Sequence, residues 1–237
     1  MAQRAVVPLV DGVIWRVPLV GDLVNGFLLR DDDGQVTILD MGLPRSAPRV
    51  LAALTAIGSG PSDVTRLLLT HAHIDHAGGA AAVAAAVGRG VAVHAEDAQY
   101  VRDGRGPARD PAYRLGRLLD RLSPTRFGPV QVAEELVDGQ LLPVAGGLRV
   151  IHTPGHSPGH AAYLHEPSAT LVTGDSIFNV RGLRWPFTAF CTDFRLTQLT
   201  AHRLAETEYE RAAFTHGAPL TDNPREAIRS FLSRQGW

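Results

Sequence analysis

Short apolar runs recur along the chain, broken by turn-forming pairs. Residues 6–10, 12–20 and 24–30 read as strands, with Asp11-Gly12 and Gly21-Asp22 as the turns between them. A turn over 31–34 leads to a strand at 35–39, which ends in Asp40-Met41-Gly42. Ala47, Val50, Leu51, Leu54 and Ile57 keep helical spacing. A β-branched, leucine-rich run at 64–70 predicts a buried strand, the alanine-rich run at 77–87 a helix, and 91–94 another strand. Strand signals return at 130–137, 141–144, 148–151, 161–164, 170–172 and 212–214, with helices at 196–206 and 224–232. The second half echoes the first, which predicts two sheets packed face to face with helices outside.

The intervening segment, 96–129, has a different character. Arg102, Arg105, Arg109, Arg114, Arg117, Arg121 and Arg126 are interleaved with Gly and Pro, and Asp103, Asp110 and Asp120 only partly offset them. Leu115, Leu118, Leu119 and Leu122 indicate a helix with one apolar face. Two readings stay open: an insertion near 97–129 that covers a site, or a solvated helix pair. No repeat is visible, and 237 residues are read as one domain over 1–237.

Composition narrows the classes. With 45% hydrophobic and 20% charged residues the chain is an ordinary globular protein. Its net charge of -1 provides no global field toward nucleic acid or an anionic membrane, so neither is expected as a partner; oligomeric state is left open. Every basic residue is arginine. The single cysteine, Cys191, excludes an intrachain disulfide. It stands in no catalytic motif and reads as a buried bystander. The first ten residues carry no long apolar stretch, and no segment has the apolar length of a membrane span, so the expected location is cytoplasmic.

The chemistry concentrates at His71-Ala72-His73-Ile74-Asp75-His76-Ala77-Gly78-Gly79, between the strand at 64–70 and the alanine-rich helix. Imidazole and carboxylate together suit zinc, iron and similar divalent ions. Side chains two apart on extended backbone point the same way, so His71 and His73 can grip one ion. After the turn, Asp75 and His76 project toward a second. Four ligand-type residues in six positions are hard to obtain by chance. Three later candidates, His156, Asp175 and His216, each follow an apolar strand, and strand ends can converge on one rim.

The sequence resembles the metallo-β-lactamase-fold hydrolase superfamily, on five motifs that run in that family's order. They are Leu39-Asp40-Met41-Gly42, the 71–76 cluster, Thr153-Pro154-Gly155-His156, Thr173-Gly174-Asp175 and Thr215-His216-Gly217. The resemblance covers roughly 20–220 and implies an α+β fold, a four-layer αββα sandwich with a dinuclear metal site at one edge. Carried over by position, His71, His73 and His156 hold a first ion. Asp75, His76 and His216 hold a second, and Asp175 bridges them. Asp40 resembles an aspartate that orients a ligating imidazole, and His160 is given an orienting or structural role. His94, His152, His165 and His202 match no ligand position. The implied cofactor is two divalent ions, zinc first, with iron or manganese as alternatives. Together they acidify a shared water into a bridging hydroxide that attacks an electrophilic centre, and Asp75 can accept the proton.

The branch is less legible. Asp175 and the expected lack of a signal segment argue against β-lactamase activity. Gly174-Asp175-Ser176-Ile177-Phe178 is similar to the glyoxalase II segment, but only about twenty residues follow His216, too few for that family's C-terminal domain. Quorum-signal lactonases carry a tyrosine where this chain has Phe178. Phe178, Trp185, Phe187 and Phe190 either border an apolar substrate pocket or pack in the core. The expectation is therefore a hydrolase of a small-molecule ester, thioester or lactone. The alternative is a mononuclear-iron oxidoreductase of the persulfide dioxygenase type.

Overall fold

The computed structural model describes residues 5–122 and 125–234, so two residues of the arginine-rich segment lie outside it. The first half builds a seven-stranded sheet in sequential order: β1 (Val7–Val10), β2 (Ile14–Val20), β3 (Val24–Arg30), β4 (Val36–Leu39), β5 (Val64–Leu68), β6 (Val91–His94) and β7 (Val132–Leu136). It is antiparallel as far as β4 and parallel from β4 to β7. The parallel part needs crossovers, which are supplied by α1 (Ala47–Ala56), by α2 (Ile74–Ala77) with α3 (Ala80–Val87), and by α4 (Ala95–Asp103) with α5 (Arg114–Leu122).

The second half builds a five-stranded sheet in the order β14-β11-β10-β9-β8, from β8 (Leu141–Leu142), β9 (Leu148–His152), β10 (Ala161–His165), β11 (Thr170–Val172) and β14 (Arg211–Ala213). The ribbon of β12 (Phe178–Asn179) and β13 (Leu183–Arg184) stands apart. Two helices, α6 (Phe194–Glu206) and α7 (Pro224–Ser233), cover this sheet, and Trp185, beyond β13, joins their cluster.

The period-two alternation of strands sorts side chains into layers. In β3, Phe27 and Leu29 face the other sheet, while Val24 and Leu28 face the helices. In β10, Ala161 and Tyr163 take the inter-sheet side and Ala162 the side of α6 and α7. The result is the expected αββα sandwich: helices, sheet, sheet, helices. The loops that carry the ligand candidates follow β5, β9, β11 and β14.

The structure departs from the sequence reading at two places that matter for the site. The helix expected over 77–87 starts only at Ala80, as α3, and a separate short helix, α2, ends at Ala77 before it. Gly78 and Gly79 press against the Ile74 and Met41 carbonyls so closely that an added Cβ would lie 2.1 and 2.3 Å from those oxygens. The second departure is α4, which the charge pattern of 96–129 concealed; it runs straight on from β6, capped by the His94 ring.

Candidate metal centre

The 71–76 segment is braced by an unusual residue. Asp40, just past β4, is left-handed at φ 57°, a conformation that aspartate tolerates better than most residues. Its buried carboxylate accepts from the Thr70 amide and hydroxyl, both at 2.8 Å, and lies 2.8 Å from His76 Nδ1. With its proton given to Asp40, the Thr70 oxygen accepts from His71 Nδ1 at 2.9 Å. That fixes the His71 tautomer. Its Nε2 is left bare, buried and without a hydrogen-bond partner among the described residues.

His76, His156 and His216 follow the same rule: one ring nitrogen is anchored behind and the other turned inward. His156 Nδ1 meets Cys191 Sγ at 3.4 Å, and His216 Nδ1 donates to the Leu23 carbonyl. Inward, His73 Nδ1 lies 2.9 Å from His156 Nε2, and His76 Nε2 lies 3.2 Å from His216 Nε2. Asp75 Oδ2 is 3.7 Å from His76 Nε2 and 3.5 Å from His216 Nε2. The Asp175 carboxylate is buried between the groups, with Oδ2 3.1 Å from His156 Nε2 and 3.3 Å from His216 Nε2, and Oδ1 3.4 Å from His76 Nε2. Three sets of ligand atoms, each within 4.8 Å of one another, result: His71, His73 and His156; His71, His76 and Asp175; Asp75, His76 and His216. Inward-facing imidazole nitrogens around a carboxylate, one of them buried without a partner, fit divalent metal.

The electrostatics agree with that donor set. Burial holds His71 and His73 well below the usual imidazole range, reinforced by the neighbouring rings. Burial also opposes a proton on His76, His156 and His216, but nearby carboxylates, Asp175 above all, outweigh it. His76 and His216 are raised, and His156 is pushed up to about 10. Despite its own burial, Asp175 lies well below the usual carboxylate range because His216, His76 and His156 surround it. The Asp175 carboxylate thus favours positive charge, whether from a proton or an ion, on the imidazoles around it.

Asp175 is placed by His160, which is no ligand in this geometry. His160 Nε2 accepts from the Asp175 amide at 2.7 Å, and its Nδ1 faces Thr153 Oγ1 at 2.8 Å, so both ring nitrogens are used. Burial and the His156 charge push its pKa down to about 3. The preceding Gly174 has φ 55°, and a Cβ there would lie 2.5 Å from His160 Nε2. Thr215 donates to Asp175 Oδ1 at 2.7 Å.

One position that the sequence reading passed over holds two of the loops. Asp97, fully buried in the first turn of α4, accepts from the Ala72 amide at 2.8 Å, the Ser157 hydroxyl at 2.6 Å and the Gly159 amide at 2.7 Å. It thus ties the loop of His71 and His73 to the loop of His156. An acid in a helix first turn is commonplace, so only its tertiary partners single it out. Cys191 is buried as expected, but it touches His156 and is not a bystander.

A cavity of about 340 Å³ opens over the cluster. Phe178, Phe187 and Phe190 line it, with Leu43, Ile74, Pro107, Arg109 and Thr125. The last three come from the arginine-rich segment. Arg109 is held there by Asp120 at 2.7 Å and by Thr125 at 3.0 Å. Trp185, the remaining aromatic expected at a pocket, is not on this wall. It packs with its ring centroid 4.9 Å from that of Phe231, because the β12–β13 ribbon turns it toward α7.

Comparison with known proteins gives consistent matches. The model of the Metallo-beta-lactamase superfamily matches residues 19–217. The probable metallo-hydrolase YybB of Bacillus subtilis (strain 168) is 30% identical over 212 residues, covering 89% of this chain and 88% of its own. A hydroxyacylglutathione hydrolase of Acidiphilium cryptum (strain JF-5) is 32% identical over 168 residues, 70% of this chain but 54% of its own, so the chain spans about half of that relative. The crystal structure of a metallo-beta-lactamase family protein from Thermus thermophilus aligns at TM-score 0.72 and 28% identity, covering 96% of this chain and 80% of that one.

Proposed function

The chain belongs to the metallo-beta-lactamase superfamily, and on that premise we propose that it is a hydrolase with two divalent ions that cleaves a small ester, thioester or lactone. Asp175 carries this reading. One of its oxygens faces His156 and the other His76, so a single carboxylate reaches both histidine groups. In the proposal His71, His73 and His156 hold one ion and Asp75, His76 and His216 the other, zinc being the first choice for this donor set. When bound, the ions supply an acidified water as nucleophile and polarise the scissile carbonyl.

The chain's own groups do the rest. Asp75 is the partly exposed acid of the cluster and lines the cavity, where it can accept the proton that the attacking water loses. Thr70 and Asp40 keep His71 Nε2 free of protons, and His160 holds the Asp175 amide. Leu43, Ile74, Phe178, Phe187 and Phe190 exclude water from the acyl side of the substrate. The arginine-rich segment covers the site through Pro107, Arg109 and Thr125. The relative named for hydrolysis of a hydroxyacylglutathione favours an acyl compound over other electrophiles.

Metal analysis of the purified protein, paired with p-nitrophenyl esters, lactones and thioesters assayed with and without chelator, tests the proposal. Two divalent ions per chain and hydrolysis that chelation removes and zinc restores are expected. One iron per chain with persulfide-dependent oxygen uptake would overturn it in favour of the oxidoreductase reading.

A further inference from the structure

The leucines of α5 point the wrong way for a core helix. Leu115, Leu118 and Leu122, spaced to share one face, are each half exposed or more, Leu122 at 73%. The helix rests on the protein through another edge, where Gly116 is buried and Asp120 pairs with Arg109. Arg114, Arg117 and Arg121 repeat the same spacing on a neighbouring face. Gly116 packs toward the Ala189 carbonyl, which places the 187–190 turn beside the helix. That turn adds Phe187, 67% exposed, and Phe190, whose ring lies 5.7 Å from the Arg109 guanidinium. Phe187 and Phe190 also line the cavity, so the apolar surface runs from the site mouth out to α5. Residues 102–126 hold seven arginines against three aspartates, a local excess of +4 in a chain of net charge -1.

We propose that α5 and the 187–190 turn seat the protein on an anionic lipid surface. The leucines and phenylalanines enter the apolar layer and the arginines meet the headgroup phosphates. Charge decides between occupants. A two-fold pairing of this patch with itself would bring the arginines of both copies together. An anionic surface neutralises them instead, and a fluid layer accepts protruding side chains without a shaped groove. The cavity mouth then opens at the lipid boundary. Whole-chain charge hides this surface, since the excess is confined to one segment. The inference does not depend on the metal chemistry.

Co-sedimentation of the intact protein with vesicles tests it, using phosphatidylcholine alone or mixed with phosphatidylglycerol. Binding to the mixed vesicles is expected, weak on phosphatidylcholine alone and reduced by high salt. Leu118→Asp with Leu122→Asp should abolish it. Arg117→Gln with Arg121→Gln should weaken it by roughly fivefold per arginine. All four positions are exposed, and unchanged thermal melting of the variants confirms their folding. Three results would overturn the proposal: no binding to mixed vesicles, equal binding to both kinds, or a wild-type dimer that the leucine variant converts to monomer without any vesicle binding.

Discussion

The two sheets contribute to the metal centre in different ways. The seven-stranded sheet delivers four ligand-type residues from six consecutive positions, His71 and His73 in the loop after β5 and Asp75 and His76 within α2. The five-stranded sheet delivers three, each from a separate loop after β9, β11 or β14. In the first case chain connectivity does most of the placing, helped by the Asp40 and Thr70 hydrogen bonds behind the rings. In the second case each loop needs its own tether. Asp97 holds the His156 loop, His160 holds Asp175, and Asn25 donates to the Phe214 and Gly217 carbonyls on either side of His216, both at 2.9 Å. A clustered ligand set is therefore placed mainly by chain connectivity, with Asp40 and Asp97 as supports, whereas a dispersed one needs a buried polar tether at every loop.

Ligand substitutions put this contrast under the greatest strain. If both regions serve one centre, His73→Ala and His216→Ala should each lower hydrolysis by at least about 10³-fold, the several kcal/mol that metal-assisted charge stabilisation contributes. Metal content per chain should fall with it. Full activity in His216→Ala alone would leave the dispersed set idle and break the comparison.

A smaller effect is expected at the tether. Asp97→Asn keeps the shape but loses an acceptor oxygen shared by the two loops, and zinc affinity should drop about 10–100-fold. Competition against a chromophoric chelator measures this, with restoration of affinity in the reverse variant as control. Affinity equal to wild type would mean that the loops need no such strap.

The smallest effect is in protons. Asp175 raises His76, His156 and His216, His156 to about 10, which favours protons on these imidazoles in the metal-free protein. A ligating imidazole must be neutral, so metal binding expels those protons. Calorimetry of zinc binding at neutral pH in buffers of differing ionisation enthalpy should show net release, declining as pH rises toward about 10. Heat independent of buffer at neutral pH would mean that these imidazoles carry no protons for the metal to displace.

Much of the fold could be read from the residues alone. The strands at 24–30, 91–94 and 170–172 fall where the pattern puts them, because alternating apolar positions must bury one or both faces of a sheet. The His71 to His76 cluster was legible for the same local reason: its spacing is itself geometry. Trp185 was not legible, since an aromatic near Asp175 in sequence can turn to the cavity or to α7, and only the β12–β13 ribbon settles which. Asp97 and Cys191 carried no mark, because an acid in a helix first turn and a lone thiol are ordinary until their partners are known.

What the amino-acid order determined by itself was the set of elements, the layered architecture and the ligand types, all of which depend on short-range periodicity and side-chain chemistry. What only the tertiary structure decided was which distant groups touch. Ala72 and Gly159 meet on Asp97, His156 on Cys191, and the leucines of α5 remain outside the core. Local periodicity shows that a helix has an apolar face, but whether that face is covered depends on packing between segments far apart in the chain, which no local pattern records.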